Sequence, residues 1–283
     1  VTVEEAMLLA SPGGGNDQFG LSVGLSADGT RAIVSARLED TTASINAGTA
    51  RVFHRTGATW TEEARLFASN GQPTDYFGNW VALSADGTRA IVGSYEDDVP
   101  GRSNVGSARV FLRTGTTWAE EAFLLAPDGA ADDRFGCAVA LSSDGSRAIV
   151  GVEQDDTGGG TNAGSARVFV RTVTSWAEEA TLLAPAGATD DHLGWTVALS
   201  ADGSRALVGA WGDDTPGGPD AGGAQVFLRT GATWAHEAGL LAPGGGPFSL
   251  DWSGVAGLGG KAPSATNPLK IAVNGEAKVS VVY

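Results

Sequence analysis

Apolar residues recur along this chain in short runs, separated by turns rich in Asp, Gly and Thr. Residues 77–84 read as a first strand, and Ala85-Asp86-Gly87-Thr88 as a tight turn, since Asp-Gly supplies the positive φ that hairpin connections need. Residues 89–94 are apolar on both faces and predict a buried strand. A long loop of Asp, Gly, Pro and Asn follows, and then residues 107–114, whose polar–apolar alternation predicts a third strand. Residues 118–126 complete the set. Their Ala, Glu and Leu content favours helix by propensity, but the run is short and hemmed by Gly-rich turns, so a fourth strand is expected.

The whole pattern returns every 58 residues. Trp60, Trp118, Trp176 and Trp234 keep that step, as do Asp28, Asp86, Asp144 and Asp202, while Leu193 takes the fourth place after Phe19, Phe77 and Phe135. A period of this size marks a solenoid, a propeller or an array, and four antiparallel strands per unit are the build of a propeller blade. The copies span about 17–68, 75–126, 133–184 and 191–242. At the ends, residues 1–10 match only a fourth strand, and 247–283 resemble the first three strands of a diverged unit. In that tail the long loop shrinks to Asn274-Gly275, between strands expected at 270–273 and 276–282. The sequence therefore predicts an all-β fold. It is a five-bladed β-propeller of four-stranded antiparallel blades, a single domain over 1–283, closed where strand 3–10 joins 277–282 of the C-terminal blade. Closure would remove free sheet edges, and an open arc completed by a partner chain is the alternative.

Charge and composition narrow the partners. A net charge of -15 argues against nucleic acid and against anionic membranes, and no apolar run approaches the ~20 residues of a spanning helix, so no membrane insertion is expected. Cys137 is the only cysteine, which rules out an intrachain disulfide; it stands where other copies carry Leu21, Asn79 and Trp195. A chain that starts at Val1 and is poor in Lys is expected of a processed secreted protein or an excised domain, placed extracellularly or at the cell surface.

The repeats resemble the FG-GAP family, the repeat of the integrin α-chain propeller and of many secreted bacterial proteins. The resemblance rests on Phe77-Gly78 with Ile91-Val92-Gly93-Ser94, Phe135-Gly136 with Ile149-Val150-Gly151-Val152, Phe19-Gly20 with Ile33-Val34-Ser35-Ala36, and Val208-Gly209-Ala210. It implies a β-propeller, extracellular placement, and often Ca²⁺ in the hairpin before the second strand. This chain departs there: the turn 83–87 offers one carboxylate, Asp86, where Ca²⁺ takes six to eight oxygens.

Two groups of candidate site residues remain. The long loops carry Asp97, Asp98 and Asn104, then Asp155, Asp156 and Asn162, then Asp213, Asp214 and Asp220, with Glu39, Asp40 and Asn46 in the first copy. Such oxygen clusters suit a hard cation such as Ca²⁺, and equally a solvated rim whose acids cap turns. The second group is the tryptophans that break the repeat, Trp80, Trp195, Trp211 and Trp252, which could stack on a ligand such as a sugar ring or fill the core. Arg31, Arg89, Arg147 and Arg205, with Arg55, Arg113, Arg171 and Arg229, are expected to form surface pairs with fourth-strand glutamates. His54, His192 and His236 occupy non-equivalent positions, and no nucleophile, metalloprotease or phosphate-loop motif occurs. The expected function is a non-catalytic binding, adhesion or assembly module that meets a protein or glycan at the cell surface, with self-assembly or a multivalent lectin as variants. A glycan-active enzyme with paired carboxylates in a central pocket is the more remote variant; the acids recur in every blade, whereas an active site breaks symmetry, so no enzyme activity is expected.

Overall fold

The computed structural model describes residues 6–42, 44–173, 175–241, 270–273 and 276–280. The chain divides into two compact units, 1–242 and 243–283, where the sequence reading has one domain. The first unit holds four blades, each a four-stranded antiparallel sheet in sequential order. Blade 1 contains β1 (Val23–Leu25), β2 (Arg31–Ala36), β3 (Thr49–Thr56) and β4 (Thr59–Leu66). Blade 2 contains β5 (Val81–Leu83), β6 (Arg89–Ser94), β7 (Ser107–Thr114) and β8 (Thr117–Leu124). Blade 3 contains β9 (Phe135–Leu141), β10 (Arg147–Val152), β11 (Ser165–Arg171) and β12 (Trp176–Leu182). Blade 4 contains β13 (Leu193–Leu199), β14 (Arg205–Ala210), β15 (Gly223–Thr230) and β16 (Thr233–Leu241). Within the second unit β17 (Lys270–Val273) and β18 (Glu276–Ser280) pair as a hairpin, at the two strand positions expected there.

Four blades are therefore seen, not five. Ala6–Ala10 forms no strand, positions 1–5 and 281–283 lie outside the described residues, and no sheet is closed on another among the residues that are described. The periodicity specifies each blade by local pattern, whereas closure depends on pairing the chain's two ends, which no local pattern fixes.

The core lies between blades. Ile33, Ala50 and Val52 of blade 1 pack with Phe77, Val81 and Val92 of blade 2, and Ile91, Ala108 and Val110 of blade 2 pack with Phe135, Val139 and Val150 of blade 3. The first strands sit side by side, β1 against β5, β5 against β9, and β9 against β13. The Phe-Gly lead-in is irregular backbone rather than plain strand. Tyr76 and Gly78 both have positive φ, as do Arg134 and Gly136, and His192 and Gly194. In blades 3 and 4 the β9–β10 and β13–β14 registers shift at this point, the mark of a bulge. In blades 1 and 2 regular pairing starts only at Val23 and Val81, which is why β1 and β5 are shorter than the run 77–84 suggested.

The recurring Arg and Trp residues are not surface decoration. Glu63 of β4 accepts from Arg31 of its own blade (3.1 Å) and from Arg113 (2.9 Å) and the Trp118 indole N–H (3.3 Å) of the next. Glu121 repeats this with Arg89, Arg171 and Trp176, and Glu179 with Arg147, Arg229 and Trp234. The Glu63 side chain is only 7% exposed. The expected surface pairs are thus half-buried staples between blades, each drawing one glutamate into two sheets.

Candidate functional site

Several repeat positions carry a different residue in every blade, and three of them matter here. They are Gln18, Tyr76, Arg134 and His192; Leu21, Asn79, Cys137 and Trp195; and Arg37, Tyr95, Glu153 and Trp211. A fourth holds Ser22, Trp80, Ala138 and Thr196. The bulged lead-in positions the first, second and fourth of these sets, and the end of each second strand positions the third. All nine residues lining a cavity of about 260 Å³ belong to these four positions: Leu21, Asn79, Cys137 and Trp195, then Arg37, Tyr95 and Glu153, then Arg134 and Trp80. The scaffold residues, which recur, are absent from its wall.

These side chains form one continuous network across four blades. Arg37 donates from Nε to Gln18 Oε1 (2.7 Å) and from Nη1 to Asn79 Oδ1 (3.1 Å), and Asn79 Nδ2 donates to the Cys137 carbonyl (3.1 Å). The Arg37 guanidinium lies 5.6 Å from the Tyr76 ring centre, Tyr76 stacks on Tyr95 at 5.8 Å, and Arg134 lies over Tyr95 at 5.8 Å. Arg134 then pairs with Glu153 at 3.4 Å. His192 Nδ1 sits 3.3 Å from the Glu153 backbone carbonyl, which can only accept, so the ring proton belongs on Nδ1. The His192 ring stacks on Trp211 at 4.7 Å, and Trp211 meets Trp195 edge-on at 6.3 Å.

Glu153 is buried, and burial pushes its carboxyl above the ordinary glutamate range, while Arg134 pulls the other way. Burial likewise raises the Tyr95 hydroxyl, with Glu96 adding to it. Cys137 donates from Sγ to the Gly194 carbonyl (3.3 Å), and burial raises its thiol, which disfavours the thiolate.

Of the tryptophans singled out from sequence, Trp80 and Trp195 lie in the cavity wall and are 38% and 48% exposed. Trp211 backs the wall through His192 and Trp195, and Trp252 lies outside the described residues. The acidic loops are elsewhere and already engaged. Asp97 accepts from Ser107 and pairs with Arg109, and Asp155 does the same with Ser165 and Arg167. Asp98, Asp156 and Asp214 accept the backbone N–H groups of Asn104 (2.8 Å), Asn162 (2.9 Å) and Asp220 (2.9 Å), while burial raises the Asp213 carboxyl. Asn104 and Asn162 donate to Asp132 and Asp190. Among the described residues no group of three His, Cys, Asp or Glu has the geometry to hold a metal. The hairpin acids fit Ca²⁺ no better: Asp86 accepts from Ser84 and from the Thr88 backbone and hydroxyl, with no second carboxylate beside it.

Sequence reasoning missed Arg37, Tyr95, Arg134 and Glu153. Their signal was present as positions where no two copies agree, but among the residues that break the repeat only the tryptophans were read as ligand-binding.

The fold and the repeat define the class: the chain belongs to the FG-GAP repeat family, whose model matches residues 2–53, 60–111, 118–169 and 176–227. No curated protein matches it. Among solved structures it is similar to a periplasmic gluconolactonase of Pseudomonas aeruginosa, with 17% identity, a TM-score of 0.52, and coverage of 80% of this chain and 58% of that one. A second is a Bacteroides uniformis protein, provisionally a 6-phosphogluconolactonase, with 13% identity, a TM-score of 0.49, and coverage of 79% and 57%. The chain thus spans less than two thirds of either structure's length, and at these identities the likeness concerns the fold.

The reading of a non-catalytic module, lectin included, is corrected here. It assumed that acids repeated in every blade leave no active site. A solved structure similar in fold is a gluconolactonase, so a propeller of this kind does not by itself speak against catalysis. The acid in the cavity, Glu153, is moreover not one of the repeated set.

Proposed function

We propose that the chain is a hydrolase of a small sugar-derived ester or lactone, acting in the cavity between Arg37, Glu153 and Trp195. One observation supports this most: every residue of the cavity wall comes from a position where the four repeats differ. A site that serves chemistry must break the symmetry of its scaffold, since the acid, the cation and the platform have different tasks. The gluconolactonase of Pseudomonas suggests the substrate class; the residues suggest the roles.

In this reading the Trp195 and Trp80 faces hold the apolar side of the ring. Glu153 takes a proton from water as the water oxygen attacks the lactone carbonyl carbon. Arg134 holds Glu153 and faces the negative charge that develops on the carbonyl oxygen. The ring C–O bond then breaks, the alkoxide takes the proton back from Glu153, and the product leaves as a hydroxy acid. Because the Glu153 carboxyl stands above the ordinary range, its base form, and with it the rate, grows with pH through a region above that of a free glutamate. The test is hydrolysis of sugar lactones, neutral and anionic, with D-glucono-δ-lactone among them, corrected for the spontaneous reaction. Wild type is expected to accelerate it, and Glu153→Gln to lose about 10²-fold or more. A wild-type rate equal to the spontaneous one across a panel of sugar lactones and esters would sink the proposal.

A further inference from the structure

We infer that Arg37 is an oxyanion subsite of this cavity, so that its ligand carries a carboxylate or phosphate group on a small hydroxylated frame. The inference rests on the reading of the cavity as the working site, and concerns what that site selects.

Arginine is the main cation of this protein, and most of its arginines are paired. Arg31, Arg51, Arg89, Arg109, Arg113, Arg134, Arg147 and Arg167 all lie within ion-pair distance of a carboxylate. Arg37 differs. Among the described residues it has no carboxylate partner, and its two protein acceptors, Gln18 Oε1 and Asn79 Oδ1, belong to neutral amides. A guanidinium has five N–H donors, and these two bonds leave the rest for a ligand.

The two amide contacts do more than leave the charge uncompensated. They clamp Nε and Nη1, so the fork is held in one orientation, and Tyr76 lies beside it. Asn79 is itself tied to blade 3 through the Cys137 carbonyl, so the clamp is braced across three blades. A planar, pre-positioned fork is the arrangement that recognises carboxylate or phosphate, because little side-chain freedom is lost on binding.

The charge balance of the wall points the same way. Its ionised groups are Arg37, Arg134 and Glu153, and the last two pair with each other. One positive charge therefore remains in a cavity on a chain of net charge -15. The exposed faces of Trp80 and Trp195 complete the pattern: a cationic arm at one part of the wall and apolar platforms at others.

Trp80 and Trp195 also provide the readout, by intrinsic fluorescence of the full chain titrated with D-gluconate, inorganic phosphate and neutral D-glucose. Gluconate or phosphate is expected to bind at least about tenfold more tightly than glucose, since a charge-assisted hydrogen bond is worth about ten- to a hundredfold. Gluconate without phosphate identifies a carboxylate ligand, and phosphate without gluconate a phosphorylated one; either supports the subsite. Arg37→Gln should erase the preference for the anion, Arg37→Lys should retain part of it, and Arg102→Gln, outside the cavity wall, should leave it intact. Glucose binding as tightly as both anions, an unchanged preference in a folded Arg37→Gln protein, or no binding by any probe would each overturn the subsite. Failure of the hydrolase reading looks different: anions would still bind in an Arg37-dependent way, with no lactone turned over.

Discussion

Asp75 is 3% exposed, receives the Gln72 backbone N–H, and stands near Asp97 and Asp98. Burial first, and those two charges after it, push its carboxyl from the ordinary 3.8 to about 7. The folded protein therefore holds a proton between those values that the unfolded chain has already released, so this group's contribution falls as pH rises from 3.8 to about 7. Glu63, Glu121 and Glu179 act in the opposite sense: despite burial, their Arg and Trp partners lower them, and their contribution is lost as pH falls below the ordinary glutamate range. Asp75→Asn is expected to flatten the decline on the neutral side and to raise stability at pH 8 by ~2–4 kcal/mol, with little gain at pH 4. Urea unfolding at the two pH values checks this, and an equal effect at both would contradict it. At this scale the sequence was legible where residue type alone decides, as with the Asp-Gly turns. It was not legible for Arg37 and Glu153, because a charge acquires its meaning from neighbours that lie 42 residues away, as Asn79 does from Arg37, or in another blade.

At the scale of the element, the glycines do two different jobs that the sequence shows alike. Gly87 sits at a hairpin turn with positive φ, as its Asp-Gly context predicts. Gly106 also has positive φ, at 79°, but a Cβ there would run into the backbone N and O of Phe135 in the next blade. That close approach accompanies the Phe135 N–H donating to the Val105 carbonyl at 2.8 Å, a bond between blades. Gly106→Ala should thus cost ~2–4 kcal/mol by adding backbone strain to a clash that cannot relax, whereas Gly115→Ala, in a β7–β8 turn with open space around it, should cost ~1 kcal/mol from φ alone. Thermal unfolding of the two variants separates them; equal losses would mean that the blade contact carries no weight. Strand existence followed from alternation and turn chemistry, including strand rather than helix for β8. The length of β5 did not, because the bulge at Tyr76–Gly78 depends on pairing with β6 and on the neighbouring blade.

Across the whole molecule the staples form a directional series. Glu63, Glu121 and Glu179 each join their own blade to the next, while Glu237 of blade 4 is held, among the described residues, by Arg205 alone, with side chains 53% and 34% exposed for the pair. Glu121→Ala is expected to destabilise by ~1–3 kcal/mol, since it strands two half-buried guanidinium groups, and Glu237→Ala to change the melting temperature little. The reverse order would contradict the staple account. The four in-register copies and the build of each blade were readable from the 58-residue period, the fifth blade and its closure were not, and the family followed from its Phe-Gly motifs. The site was not, because near-identity between copies drew attention to what recurs, and a cavity is made where four copies stop agreeing.

That claim, one asymmetric site per chain, is tested most directly by a crystal structure of the protein soaked with D-gluconate. The account predicts a single ligand per chain, its carboxylate on Arg37 and its hydroxylated carbon chain against Trp195. Ligand bound instead at equivalent places in each blade, such as the acidic loops around Asp98 and Asp156, would contradict it.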